Sequence, residues 1–197
     1  MLPAPVFVDD PHASTKIGIR DRLKAATAAA HHGIDERLGV LDLTDTAHYR
    51  RFLQANAAAL LPLEAALEQA GVNSMFEDWP LRARSAAISA DLSRLGGTAV
   101  PLPGPAGPLD RCNMLGTLYV LEGSRLGAAY LARIVAASVD PRVRGATNYL
   151  RHGEGQGLWR SFLARLERES VSADDEHRLI VSAQQAFAMF ATAVAAL

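Results

Sequence analysis

Two stretches of the chain hold residue types that a plain helical core would avoid. The first centres on His31. Thr27, Ile34 and Leu38 lie one or two turns away at helical spacing, so they share its side of a helix. An imidazole on such a stripe needs partners for its nitrogens, because an unpaired buried polar group costs about 1–3 kcal/mol. A metal ion is one possible partner, and a core carbonyl or carboxylate is the other. His32 is rotated by about 100° and is expected on the helix flank near Asp35 and Arg37.

The second stretch carries Gly116, Gly123 and Gly127 inside an otherwise good helical pattern. A mid-helix glycine costs about 0.5–1 kcal/mol relative to alanine, so three of them call for a reason. Their spacing places all three on one side, bordered by Ser124 and Ala128. A smooth strip of this kind admits something flat at close range, and Gly/Ser pairs also allow bending. Tight helix–helix packing explains the same glycines equally well.

Other residues carry less chemistry. His48, His152 and His177 show no ligand spacing with one another, and the Glu-x-x-His pairs of a di-iron bundle are missing. Gly153, Gly155 and Gly157 fit neither a phosphate loop nor a dinucleotide turn. Cys112 stands alone, which excludes an internal disulfide and CxxC motifs and points to a reducing compartment. Asp174, Asp175 and Glu176 suit the start of a helix. Trp79 and Trp159 read as packing residues.

The elements that must position these residues are helices. A first helix is expected over 17–38, with Leu23, Thr27, Ala30, Ile34 and Leu38 at steps of three or four. A second follows Thr44 as N-cap and ends near Gly71, with a buried stripe of Tyr49, Phe52, Leu53, Leu60, Leu63 and Leu67 and a kink at Pro62. A third opens with Pro80 and closes at Gly96 and Gly97, before a Pro/Gly-rich loop over 98–108. A fourth runs from Asp110 as N-cap to about Ala137 and is stopped by Pro141. A fifth spans 158–168. Ser172 opens the last, with Asp175 in the acidic position of a capping box. Six helices without a sheet make an all-α, single-domain helical bundle over 17–197, preceded by a flexible N-terminal arm over 1–16.

The bulk numbers agree. A chain of 197 residues, 49% of them apolar, can bury a full core without disulfides or structural metal. A formal net charge of −1 gives no field to attract nucleic acid. The N-terminal stretch lacks the basic start and apolar run of a signal peptide, and no uninterrupted apolar run reaches the length of a membrane span. A cytoplasmic protein without membrane or nucleic-acid partners is expected.

The segment from Leu23 to His31, with Lys24, Thr27 and a following Asp35, resembles the proximal helix of heme oxygenases. The segment Leu118-Tyr119-Val120-Leu121-Glu122-Gly123-Ser124-Arg125-Leu126-Gly127 resembles their distal helix, most closely that of the bacteriophytochrome-associated bacterial members. Helix order and chain length extend the resemblance over about 17–197. It implies a bundle of the heme oxygenase type, with heme as both cofactor and substrate held between the first and fourth helices. His31 would be the iron ligand, Lys24 would reach a propionate, and Thr27 and Tyr119 would line the site. Gly123 and Gly127 would let the distal helix pass close over the ring, with Ser124 and Arg125 acting beside them.

The implied reaction opens heme to biliverdin, CO and ferrous iron, using O2 and an external electron donor such as a ferredoxin or flavoprotein. A bacteriophytochrome is the partner that the subtype implies. The chain departs from its relatives in two places. Many members carry Gly-Asp where this chain has Gly123-Ser124, and many have paired glycines where it has Gly127-Ala128. On the last helix, Arg178 is the nearest cation for a propionate. The missing carboxylate also supports a heme carrier or sensor of the same fold without turnover. A relative with another ligand, like the thiaminase-type bundles, would need a nucleophile or carboxylate cluster.

Overall fold

The computed structural model describes residues 18–197, so the arm expected over 1–16 lies outside the described residues. Those residues form ten helical segments and no strand. Helix α1 (Ile19–Leu38) buries Ile19, Leu23 and Thr27, whose hydroxyl folds back onto the Leu23 carbonyl at 2.8 Å. Helix α2 (Thr46–Gln69) buries the whole stripe from Tyr49 to Leu67. Its N-cap is Asp45 rather than Thr44. The Asp45 carboxylate accepts from the N–H groups of Ala47 and His48, where negative charge also suits the helix dipole, and Thr44 instead bonds Asp42.

Pro62 does not end α2. Its missing N–H leaves the Ala58 carbonyl without an intrahelical donor, and Leu102 from the Pro/Gly-rich loop donates to that oxygen at 2.8 Å. Gly71, in the left-handed region at φ 80°, leads into a short α3 (Val72–Met75).

The third expected helix is two: α4 (Trp79–Arg82) and α5 (Ser85–Arg94). The break arises from tertiary capping. Glu64 of α2, buried, accepts from the N–H groups of Arg84 and Ser85 and from the Ser85 hydroxyl, which starts a new helix there. The fourth helix is also divided, into α6 (Arg111–Gly123) and α7 (Arg125–Ala136), with Ser124 at the junction. Asp110 caps α6 in a reciprocal box with Asn113. Pro141 opens a short α8 (Pro141–Gly145) capped by Asp140. Helix α9 (Leu158–Leu166) follows the glycine-rich loop, and α10 (Ala173–Ala195) starts in the Ser172/Asp175 capping box.

Helix α10 is central, packing on α6, α1 and α2. Among the described residues it is the helix long and apolar enough to cross a membrane, yet Leu179, Ala183, Ala186 and Phe190 sit in the shared core. A Cβ at Gly116 would lie 2.2 Å from the Leu179 carbonyl oxygen, so this glycine permits the α6–α10 contact. The three glycines therefore do not form one strip. Gly116 faces α10, Gly123 faces Trp159, and Gly127 faces open space. One hydrophobic core runs from Ile19 to Val194.

Candidate active site

Helix α1 packs chiefly on α10, and His31 stands at the exposed edge of that contact. Its side chain is 62% exposed, not core-facing as its apolar neighbours suggest. The periodicity is real, but Ile34 and Leu38 pack against the rim of the core and are only half-buried. His31 Nδ1 lies 2.9 Å from an Asp35 carboxylate oxygen, and the ring meets Phe187 of α10 edge-on at 6.0 Å. Asp35 occupies one ring nitrogen, and in a carboxylate–histidine pair of this kind the other nitrogen is the one that can take a metal. His32 lies on the flank as expected, against Glu36. Lys24 is exposed and Thr27 is buried.

Tyr119 of α6 is half-buried beside α1. Burial pushes its phenol above the usual tyrosine range, while the Arg20 charge and a Thr27 hydrogen bond pull it back. Its ring meets Trp159 of α9 at 5.6 Å. Trp159 in turn lies against Gly123, where an added Cβ would meet it at 3.7 Å. At Gly127 an added Cβ would meet nothing within 4 Å. Leu126 and Gly127 stand four and three residues before Tyr130 on α7, so the three lie toward one side of that helix, while Gly123 is covered by Trp159. Leu126 and Tyr130 are 65% and 66% exposed. An apolar face with a smooth centre, left uncovered by the chain, fits a flat apolar ligand. Among the described residues no three metal-ligating side chains converge. A metal held by His31 alone must bring the rest of its ligands with it, as a metalloporphyrin does.

Ser124 is exposed at the α6–α7 junction. Its hydroxyl donates to the Leu121 carbonyl at 2.8 Å and accepts from Arg84 Nη2 at 3.0 Å. Arg125 is turned inward and does not join the face of Gly127. Its guanidinium bonds both Glu122 carboxylate oxygens, the Arg82 carbonyl and the His152 carbonyl. Arg178 is likewise engaged elsewhere, tying Asp110 to Asp175 at the starts of α6 and α10.

The residues beneath the junction were not anticipated from the sequence. Arg82, buried, spends its donors on Asp78, Glu122, Ser161 and the Leu158 carbonyl, and stacks over Phe76. Arg84, also buried, bonds the Leu121 carbonyl and stacks over Tyr149. Glu122 is 1% exposed. Burial holds the His152 imidazole below its usual range, and the charges of Arg125 and Arg84 add to that, which disfavours its protonated form. The available signal was Glu122 itself, a carboxylate in the apolar run after Leu118, with Arg125 one turn on.

Comparison with known proteins points to one family. A family model described as heme oxygenase matches residues 106–196. A heme oxygenase of Xanthomonas campestris pv. campestris is 33% identical over 156 residues, spanning 77% of this chain and 92% of the relative. Heme oxygenase PigA of Pseudomonas aeruginosa is 32% identical over 152 residues, 73% of this chain and 74% of the relative. Among solved structures, the NO- and CO-bound heme oxygenase from Neisseria meningitidis superposes with a TM-score of 0.73 at 23% identity over 90% of each chain. The heme oxygenase from Leptospira interrogans superposes with a TM-score of 0.67 at 17% identity, over 92% of this chain and 100% of that one. At these identities the two structures speak for the fold.

Proposed function

Because the chain belongs to the heme oxygenase family, whose members are enzymes that bind heme as substrate, we propose that it opens heme to biliverdin, CO and ferrous iron. O2 and an external electron donor, a ferredoxin or flavoprotein, complete the reaction. The observations that support this reading are an exposed His31 held by Asp35 and, on α7, the exposed side of Leu126, Gly127 and Tyr130. Heme supplies the iron that activates O2 and the ring that is cut.

In this reading His31 Nε2 ligates the iron, with Asp35 holding Nδ1. Lys24, exposed about two turns before it, meets a propionate at the open edge. Thr27 and Tyr119 close the inner end between α1 and α6. Gly127 admits the ring close to the backbone, Gly123 stands one turn before it against Trp159, and Ser124 presents a polar group between them. Arg125 acts from below, by holding Glu122 and the His152 loop to the junction. The protein works in the cytoplasm, and the bacteriophytochrome-associated subtype makes a bacteriophytochrome the acceptor of its product.

Hemin reconstitution followed by ascorbate in air tests the proposal. Turnover is seen as decay of the Soret band with growth of a broad red band. A second reading, a heme carrier or sensor, is favoured by one observation: a serine rather than a carboxylate stands at the junction. A Soret band that persists under reductant and oxygen selects it.

A further inference from the structure

The hydrogen bonds around Ser124 have only one chemically allowed direction. A guanidinium can only donate, and a carbonyl can only accept. Arg84 Nη2 lies 3.0 Å from the Ser124 hydroxyl oxygen, and that hydroxyl lies 2.8 Å from the Leu121 carbonyl oxygen. The hydroxyl proton is therefore spent on Leu121, and one lone pair is spent on Arg84. What remains on the exposed side is a single lone pair. We infer that Ser124 is a fixed hydrogen-bond acceptor at the distal side of the substrate site, and that Arg84 is the residue that positions it. This inference rests on the functional reading above, and it supplies the acceptor that the missing carboxylate would otherwise provide.

The support beneath Ser124 is built. Arg84 Nη2 also donates to the Leu121 carbonyl at 2.8 Å, so one nitrogen holds both members of the turn. Its guanidinium lies over the Tyr149 ring at 5.1 Å, and its backbone N–H is held by Glu64 of α2. The break between α6 and α7 sets up this geometry. The backbone ladder closes with the Ser124 N–H on the Val120 carbonyl, and the next carbonyl, Leu121, takes side-chain donors. The charged groups at the junction are Arg84, Arg82, Arg125 and Glu122, with the His152 ring beside Arg125. Glu122 is saturated by Arg82 and Arg125, so it offers no competing acceptor toward Ser124.

The test reads the protein's hemin complex without turnover. Water bound to ferric hemin loses a proton as pH rises, and the change is visible in the spectrum. A neighbour that only accepts hydrogen bonds favours the neutral water, with two protons to offer, over hydroxide. A donor does the reverse. Ser124→Ala is expected to bind hemin and to lower the midpoint of this transition by roughly half a pH unit or more. In an Arg84→Met background the Ser124→Ala shift is expected to shrink to less than half, because a released hydroxyl no longer presents a fixed acceptor. If Arg84→Met loses its cooperative melting transition, Arg84→Leu, which also removes the donor, replaces it, and the same loss of additivity is expected.

A midpoint that rises or does not move in Ser124→Ala overturns the acceptor. A Ser124→Ala shift of full size in the Arg84 variant overturns the positioning role. A protein that never gives a Soret band with hemin overturns the functional reading itself, a failure distinct from both.

Discussion

The Glu122 carboxylate lies between two guanidinium groups, 2.9 Å from Arg82 and 2.9 Å from Arg125. All three side chains are at least nine-tenths buried, so each charge depends on the others for solvation. Glu122→Gln leaves two buried cations facing a neutral amide. Urea unfolding is expected to show a loss of about 3–5 kcal/mol, the range for removing one partner of a buried pair. A loss under about 1 kcal/mol, typical of exposed pairs, would show that water reaches the network.

Two glycines of one original helical pattern respond in opposite ways to the same methyl group. Gly116→Ala drives a Cβ to within 2.2 Å of a backbone oxygen of α10, which cannot swing aside. Overpacking of this kind is expected to cost about 1–3 kcal/mol in thermal or urea unfolding. Gly127→Ala meets open space and gains helix propensity, so the ligand-free protein is expected to become more stable by about 0.5–1 kcal/mol. Hemin affinity is expected to fall in the same variant, since the methyl group stands on the face assigned to the ring. A Gly127→Ala protein with unchanged hemin affinity would remove that face from the site.

His31→Ala separates binding from folding. The side chain is 62% exposed, so its removal is expected to change stability by no more than about 0.5 kcal/mol. The Soret band of bound hemin is expected to shift and weaken, and added imidazole is expected to restore it by entering the vacated position. An unaltered band would assign iron ligation to another residue.

Acid stability has a local source at the start of α10. The Ser172 hydroxyl and then the Arg178 guanidinium hold the Asp175 carboxyl down to about 2. The folded pKa lies below the unfolded one, so the ionised form stabilises the fold above about pH 4. That contribution fades as pH falls from there through about 2. Melting temperatures of the protein and of Asp175→Asn are expected to differ by a constant amount above about pH 4 and to converge as pH approaches the folded value. Curves that stay parallel through acid would contradict the assignment.

The helices were legible in the sequence wherever their ends are made by neighbouring residues. Asp110 with Asn113, and Ser172 with Asp175, carry their own caps, so those starts could be read directly. The breaks at Arg84 and Ser124 could not, because distant side chains make them: Glu64 reaches over from α2, and Arg84 reaches over to Leu121. For His31, residue type and motif were visible, but exposure was not. Periodicity reports which residues share a face, whereas burial depends on whether another helix lies on that face. Arg125 shows the same limit. Its spacing from Glu122 is plain in the sequence, yet only packing decides that the pair points inward.

The vacancy left by Pro62 in α2 works as a mooring point. A proline usually subtracts a hydrogen bond, but here the subtraction leaves an oxygen in a fixed place, and Leu102 ties up to it across more than forty residues of chain. The Pro/Gly-rich loop is thereby two segments with different freedoms. Residues up to 102 are moored to the wall of the bundle, while the turn beyond them can change length at little cost, since closing a longer loop adds only about 0.6 kcal/mol per doubling. Variation in that loop therefore belongs after the knot, and a helix regular enough to do without Pro62 would cast the strand adrift.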